Sequence, residues 1–60
     1  MRYLRRIRLE HVHRQLRAAD PARESVQSIA GQWGFASLSR FTYYYRQAYG
    51  VLPRQTLHSD

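Results

Sequence analysis

The sequence has no cysteine, no lysine and no apolar run near the roughly 18 residues that a membrane-spanning helix needs. The lack of cysteine excludes disulfides and thiolate metal sites, which is typical of proteins in a reducing compartment. The opening residues MRYLRRIRLEHV also lack the continuous apolar segment of a secretory signal. We therefore expect a cytoplasmic protein, and 60 residues suffice for one small domain.

Groups for catalysis or metal binding are scarce, with three histidines and four carboxylates scattered along the chain. His11 and His13 are two residues apart, so on a helix they point in different directions and do not form a metal-binding pair. His58 stands alone near the end, and no nucleophile is paired with a candidate base. We expect no cofactor, no metal site and no enzymatic activity.

Because only four residues are acidic, the ten arginines leave a formal net charge of +6. Residues 1–23 hold seven arginines and two carboxylates, a net charge of +5, whereas residues 24–60 carry +1. Such a basic chain typically binds polyanions, most often nucleic acid, and arginine suits forked contacts with phosphate. Charge alone would place that contact on the first segment, not on the aromatic stretch FTYYYRQAYG at 41–50.

The first segment predicts a helix over residues 2–18 with two apolar faces. One face carries three apolar residues at helical spacing: Leu9, Val12 and Leu16. The nearly opposite face carries three more: Tyr3, Leu4 and Ile7. A helix with two apolar faces normally packs on two neighbours, so we expect one face to contact this chain and the other to contact a part that the sequence does not contain. Pro21 disfavours helix at Asp20 and ends the segment.

The rest of the chain predicts three shorter helices and no strand. Ser25 is a plausible N-cap for the second helix, whose inward stripe is expected at Val26, Ile29, Ala30 and Trp33. Gly34 follows where a helix end needs a positive φ. Ser37 caps a third helix over 38–49 that Gly50 ends, and Pro53 begins a short helix over 53–58.

On the third helix, Phe41, Tyr45 and Ala48 share the face expected to pack against the second helix. The opposite face is expected to carry the polar and outward aromatic residues, which are Ser37, Arg40, Tyr43, Tyr44 and Gln47. Two helices joined by a corner of three or four residues with a glycine form a helix-turn-helix, whose second helix enters the DNA major groove. We predict an all-α, homeodomain-like bundle with a long first helix. Small bundles that never touch DNA also expose tyrosines, so this geometry alone leaves the function open.

The stretch SIAGQWGFASLSRFTYYYRQAYGVLP resembles the second helix-turn-helix signature of the AraC/XylS-type bacterial transcription regulators. The matching positions are Ile29, Ala30, Gly34, Phe35, Ser37, Ser39, Phe41, Tyr45, Arg46, Gly50 and Pro53. The upstream YLRRIRLEHVHRQL is similar to the linker helix of that family, through Tyr3, Leu4, Arg8, Leu9, Val12 and Leu16. The resemblance implies a linker helix at 1–20 and a helix-turn-helix module at 21–60.

In that family, two helix-turn-helix modules share one linker helix. The resemblance therefore implies a C-terminal piece that lacks the first module, which would cover Tyr3, Leu4 and Ile7. It also implies an upstream effector-sensing or dimerisation domain. The implied partner is double-stranded DNA.

The resemblance and the helix geometry together name the candidate DNA-binding residues: Ser25, Ser37, Ser39, Arg40, Tyr43, Tyr44, Arg46, Gln47 and Arg54. Arg40 is expected to reach a base, with Ser39 and Tyr43 as secondary base contacts. Tyr44 and Gln47 are expected on sugar or phosphate, and Arg46 and Arg54 on phosphate. The backbone N–H groups from Ser25 to Gln27 offer a phosphate site.

The chain departs from the family pattern at several positions. Tyr43 stands where the family usually has Arg or Lys, and a tyrosine cannot make a forked contact with guanine. Leu52 replaces a capping Ser or Thr, and Thr56 and Leu57 replace an aromatic residue and an arginine. These departures predict weak binding. Arg8 is expected to be structural, held by a carboxylate or carbonyl.

The sequence leaves two alternatives to DNA binding open. One is a protein-interaction bundle that docks through Tyr3, Leu4 and Ile7. The other is a cationic segment that lies on an anionic membrane surface. The salt dependence of duplex binding separates the three.

Overall fold

The computed structural model of the protein describes residues 2–58, with side chains from Leu4 onward. This part of the chain folds into four helices: α1 (Arg2–Ala18), α2 (Val26–Gln32), α3 (Leu38–Tyr49) and α4 (Pro53–Leu57). No residue between 2 and 58 is in a strand. The all-α prediction is confirmed. The bounds of α1 and α3 are those expected, while α2 and α4 each end one residue earlier than predicted.

The turn after α1 is built around Asp20. Its carboxylate accepts a hydrogen bond from the Ala22 backbone N–H at 2.9 Å, and its carbonyl accepts one from the Arg23 N–H, also at 2.9 Å. Pro21 lies inside this turn and cannot continue a helix. The exposed ion pair between Arg23 and Asp20, 3.8 Å long, adds little because solvent screens both groups.

Serine side chains cap the two central helices, as the sequence predicted. Ser25 Oγ accepts the Ser28 backbone N–H at 3.1 Å at the start of α2. Ser37 Oγ accepts the Arg40 backbone N–H at 3.3 Å at the start of α3. Each cap satisfies an N–H that has no partner within its own helix.

The corner between α2 and α3 is a Schellman motif. Gly34 adopts a φ of +86°, its N–H donates to the Gly31 carbonyl, and the Phe35 N–H donates back to the Ala30 carbonyl. A side chain at Gly34 would strain this left-handed backbone. The corner spans residues 33–37, one residue longer than predicted.

Gly50 ends α3 with a φ of +75°, and its N–H donates to the Arg46 carbonyl at 2.8 Å. The next helix begins at Pro53 without a side-chain cap, because Leu52 has no acceptor. Gln55 supplies half of a capping box instead, since its Oε1 accepts the Leu52 N–H at 2.8 Å.

One core holds the four helices together. The buried apolar side chains are Leu9, Val12, Leu16, Ile29, Ala30, Phe41, Tyr45 and Leu57. The inner face of α1 is therefore confirmed, and α1 packs on both α2 and α4. On its other face, Leu4 is exposed and Ile7 is half-buried, while the side chain of Tyr3 lies outside the described residues.

The structure differs from the predicted core at three positions: Val26 and Trp33 pack against the core but are only half-buried, and Ala48 is exposed. Trp33 is only half-buried because it is the C-cap of α2, and its ring lies at the edge between α1 and α2. Ala48 is exposed, since it lines an open groove between α1 and α3 together with Arg6 and Tyr49.

Candidate nucleic-acid interface

The outer face of α3 is a continuous exposed surface. At about 100° per residue, Tyr43 lies about 180° away from the mean direction of Phe41 and Tyr45, which are both 0% exposed. Tyr43 itself is 62% exposed. The neighbouring positions on this face are also exposed, namely Ser39, Arg40, Arg46 and Gln47. We call these five residues the outer face.

Arginines flank the exposed tyrosine on both sides. Arg40 and Arg46 lie about 60° to either side of Tyr43 around the helix axis. On the Arg46 side, Arg54 of α4 is exposed and shares a shallow apolar groove with Thr42. The positive charge of this half of the chain is thus gathered around an uncharged aromatic ring.

The start of α3 is held firmly. The Ser37 hydroxyl is used as the cap of the Arg40 N–H, and the corner before it is closed by backbone hydrogen bonds. Arg40 therefore projects from a fixed first turn. Ser37 is itself exposed, as is Ser25, whose hydroxyl is likewise used as a cap.

Tyr44 differs from the expectation that it faces outward. It is half-buried and packs against the core, and the Arg5 guanidinium carbon lies 3.9 Å from the centre of its ring. The ring is covered because α1 passes beside this flank of α3. Since the position of α1 relative to α3 is a tertiary contact, helical spacing alone could not reveal it.

Arg8 is exposed, and its guanidinium lies beside the corner, 3.8 Å from where a Cβ on Gly34 would stand. This position beside the corner differs from the contact with a carboxylate or carbonyl that the sequence predicted.

Behind α3, a buried hydrogen-bond chain links three elements and was missed by the sequence reasoning. The Tyr45 hydroxyl donates to Thr56 Oγ1 at 2.7 Å and lies 2.7 Å from His13 Nδ1. The His13 ring stacks on Tyr49 with centroids 4.1 Å apart. Burial raises the pKa of Tyr45 above its ordinary value, and the hydrogen bond to Thr56 offsets only part of this shift.

A second polar cluster joins α1 to α2. The Trp33 indole N–H donates to Gln15 Oε1 at 2.8 Å, and Gln15 Nε2 donates to Gln32 Oε1 at 2.8 Å. His11 stacks on the indole with centroids 4.4 Å apart. The signal available in the sequence was the spacing of His11 and Gln15, which are four apart and share one face of α1.

We expect acid to weaken the fold through His13. Burial lowers the pKa of His13 below its ordinary value, and the charge of Arg17 lowers it further. The unfolded chain therefore binds the proton more readily, so the free energy of unfolding falls as pH drops through about 6.5 toward the folded-state pKa. Urea denaturation between about pH 5 and pH 8 measures this slope.

In His13→Gln, the part of the pH dependence of the unfolding free energy that comes from His13 should disappear. His58→Gln is the matched control, because His58 is exposed at the end of α4. An identical pH dependence in the wild-type chain and His13→Gln would contradict the prediction.

Among residues 2–58, no helix is both long and apolar enough to cross a membrane. Within the same residues, no group of three or more histidines and carboxylates is close enough to hold a metal ion.

Known proteins are similar to this chain along nearly its whole length. A family model for a helix-turn-helix domain of the AraC type matches residues 1–59. A protein of Rhodococcus erythropolis described as "Probable thc operon regulatory protein" is 42% identical over 59 residues, which are 98% of this chain. The chain spans 18% of the length of that relative. No solved structure matches the chain. By the match along nearly its whole length, the chain belongs to the AraC-type helix-turn-helix family.

Proposed function

We propose that this chain binds double-stranded DNA as part of a transcription regulator, with α3 lying in the major groove. The observation that carries the proposal is the outer face itself. It belongs to a capped, three-turn helix whose exposed side bears arginines on both sides of Tyr43 and whose inner side buries Phe41 and Tyr45. The family and the regulatory relative support DNA as the partner.

The roles of the individual residues follow from where they lie on α3. Arg40 is in the first turn, where a recognition helix reaches base edges, and its guanidinium can fork onto a guanine. Arg46 is in the last turn, where it meets a phosphate. Ser39 and Gln47 supply shorter polar contacts beside them.

Arg54 extends the phosphate contacts beyond α3. It lies in the first turn of α4 across the groove from Thr42. The backbone at Ser25 adds a phosphate contact at the start of α2, while its hydroxyl stays in the cap. One short module engages one groove segment, so affinity is expected near the nonspecific range of about 10⁻⁴–10⁻⁶ M at physiological salt.

Binding to duplex DNA at graded salt concentrations tests the proposal. The affinity should fall linearly with salt on logarithmic axes, because each neutralised phosphate releases counterions. In Arg46→Ala the slope should decrease by about one. The matched control is Arg17→Ala, since Arg17 is exposed on α1 close to His13 and Tyr45, on the far side of the core from the outer face.

Vesicles of anionic lipid and zwitterionic vesicles serve as competing ligands. Tighter binding to anionic vesicles than to DNA, or a duplex affinity that salt does not change, would overturn the proposal in favour of a membrane-surface segment or a protein-interaction module.

A further inference from the structure

A stack of three side chains runs from α1 to the outer face of α3. The Arg5 guanidinium covers the ring of Tyr44, with its carbon 3.9 Å from the ring centre. The Tyr44 ring then meets the Tyr43 ring edge-on, with centroids 5.7 Å apart and planes at 67°. Arg5 and Tyr44 are half-buried, whereas Tyr43 is 62% exposed. The stack therefore has a supported base and a free end.

The geometry of this stack restrains the exposed ring. Cation–π and edge-to-face contacts hold aromatic rings in defined orientations. Tyr44 is held between the core and Arg5, so it offers Tyr43 a fixed neighbour on one side. A ring that is already ordered loses less conformational freedom on binding than a free one. Tyr43 is thus prepared for contact through its apolar ring.

The major groove offers a single apolar group on the base edges, the C5-methyl of thymine. Tyr43 carries no charge and cannot fork onto guanine, but its ring can cover that methyl group. Arg40 lies one turn earlier on the outer face, about 4.5 Å along the helix axis. Base pairs are spaced by about 3.4 Å, so the two side chains reach positions within about one or two base pairs of each other.

We propose that Tyr43 reads the C5-methyl group of a thymine next to the base read by Arg40, and that Arg5 acts through Tyr44 as the positioning residue for this contact. The inference rests on the proposed DNA-binding function and adds the base preference of the site. The expected base preference therefore differs from that of the Arg or Lys that the family usually has at this position. The reason is that the Tyr43 ring is uncharged and is supported by Tyr44.

Deletion of single methyl groups tests the inference. The 60-residue chain selects its preferred duplex from a randomised pool at fixed salt, and fluorescence anisotropy then measures Kd. Each thymine of that duplex is replaced in turn by deoxyuridine, which removes only the C5-methyl. We expect one thymine at which this replacement weakens binding about fourfold, the effect of exposing one buried methyl group.

Variants of Tyr43 distinguish a contact made by its ring from a contact made by its hydroxyl. We call the Kd on the deoxyuridine duplex divided by the Kd on the thymine duplex the thymine-to-uracil ratio. Tyr43→Phe should keep this ratio at about fourfold, because the ring remains. In Tyr43→Ala the ratio should fall to about one. A ratio that persists in Tyr43→Ala, or that is lost in Tyr43→Phe, overturns the assignment of the methyl contact to the ring.

Variants of Arg5, at the α1 end of the stack, test whether it positions Tyr43 through Tyr44. Arg5→Gln should lower the thymine-to-uracil ratio and Arg5→Lys should retain part of it, because lysine keeps the cation. Arg17→Gln, which removes the same charge from the other end of α1, should leave the ratio unchanged. An unchanged ratio in Arg5→Gln with weaker binding to every duplex would assign Arg5 to phosphate and overturn its positioning role.

The two proposals fail in different ways. Loss of salt-dependent duplex binding would remove the proposed function and this inference together. Salt-dependent binding with no thymine whose methyl matters would remove only the inference.

Discussion

Replacement of Phe41 by alanine is expected to lower the free energy of unfolding by about 3–5 kcal/mol. The Phe41 side chain is 0% exposed, and its ring packs against Phe35 and Tyr45 with centroids 5.0 and 5.7 Å away. A domain of 60 residues has a total stability of about 3–9 kcal/mol at ordinary values per residue. The variant should therefore be unfolded or close to unfolding at room temperature.

Urea denaturation followed by far-ultraviolet circular dichroism measures this loss. Tyr43→Ala is the matched control, since it removes an aromatic ring from the same helix but from an exposed position. It should change stability by about 1 kcal/mol or less, because the ring loses only its edge-on contact with Tyr44. If both variants lose the same stability, Tyr43 is part of the packed interior, and the outer face is not available to DNA.

Replacement of Arg40 by alanine is expected to have the largest effect on base recognition. A forked contact with guanine contributes about 1–3 kcal/mol of discrimination, which is about fivefold to 150-fold in Kd. Arg40→Ala should weaken binding to the preferred duplex by that factor. It should also bind duplexes changed at the base pair that Arg40 reads as well as it binds the preferred one. Arg40→Lys should restore charge without restoring the discrimination, because an ammonium group cannot fork.

Kd values on the preferred duplex and on its single-base-pair variants measure this pattern. Arg46→Ala is the informative comparison, since a lost phosphate contact weakens all duplexes by a similar factor. A uniform loss in Arg40→Ala would place Arg40 on the DNA backbone and contradict base reading by the first turn of α3.

The features that were predictable from sequence have local causes. Ser25 and Ser37 cap helices because their hydroxyls reach an N–H three residues on, and this geometry needs no other part of the chain. Gly34 and Gly50 end helices because they adopt a positive φ. The buried positions of α1 and α3 followed from helical spacing, which explains why Val12, Phe41 and Tyr45 were placed correctly.

The errors concern side chains whose surroundings come from a different helix. Trp33 has the size and the helical position of a core residue. At the edge of the bundle, however, its indole N–H donates to Gln15 and its ring stacks on His11. Tyr44 looks outward on a helical wheel, but α1 passes over it. Periodicity reports the direction of a side chain from its own helix, not the partner that it meets.

Thr56 shows the same limit in a different way. The comparison of Thr56 and Leu57 with the family pattern suggested only that a phosphate contact is lost. In the folded protein it accepts the hydrogen bond of the buried Tyr45 hydroxyl, which would otherwise be costly to bury. That partnership joins residues 11 positions apart and depends on how α4 packs behind α3.

The sequence by itself determined the four helices, the residue at which each begins, most of the core and the presence of Arg40 and Tyr43 on one exposed face, because caps, glycines and periodicity act over one or two turns. Only the tertiary structure decided that Arg5 covers Tyr44, that His13 and Thr56 meet at Tyr45, and that Arg54 of α4 shares a groove with Thr42 of α3. Those arrangements depend on the angles at which separate helices pack, and such angles are set by the whole core at once.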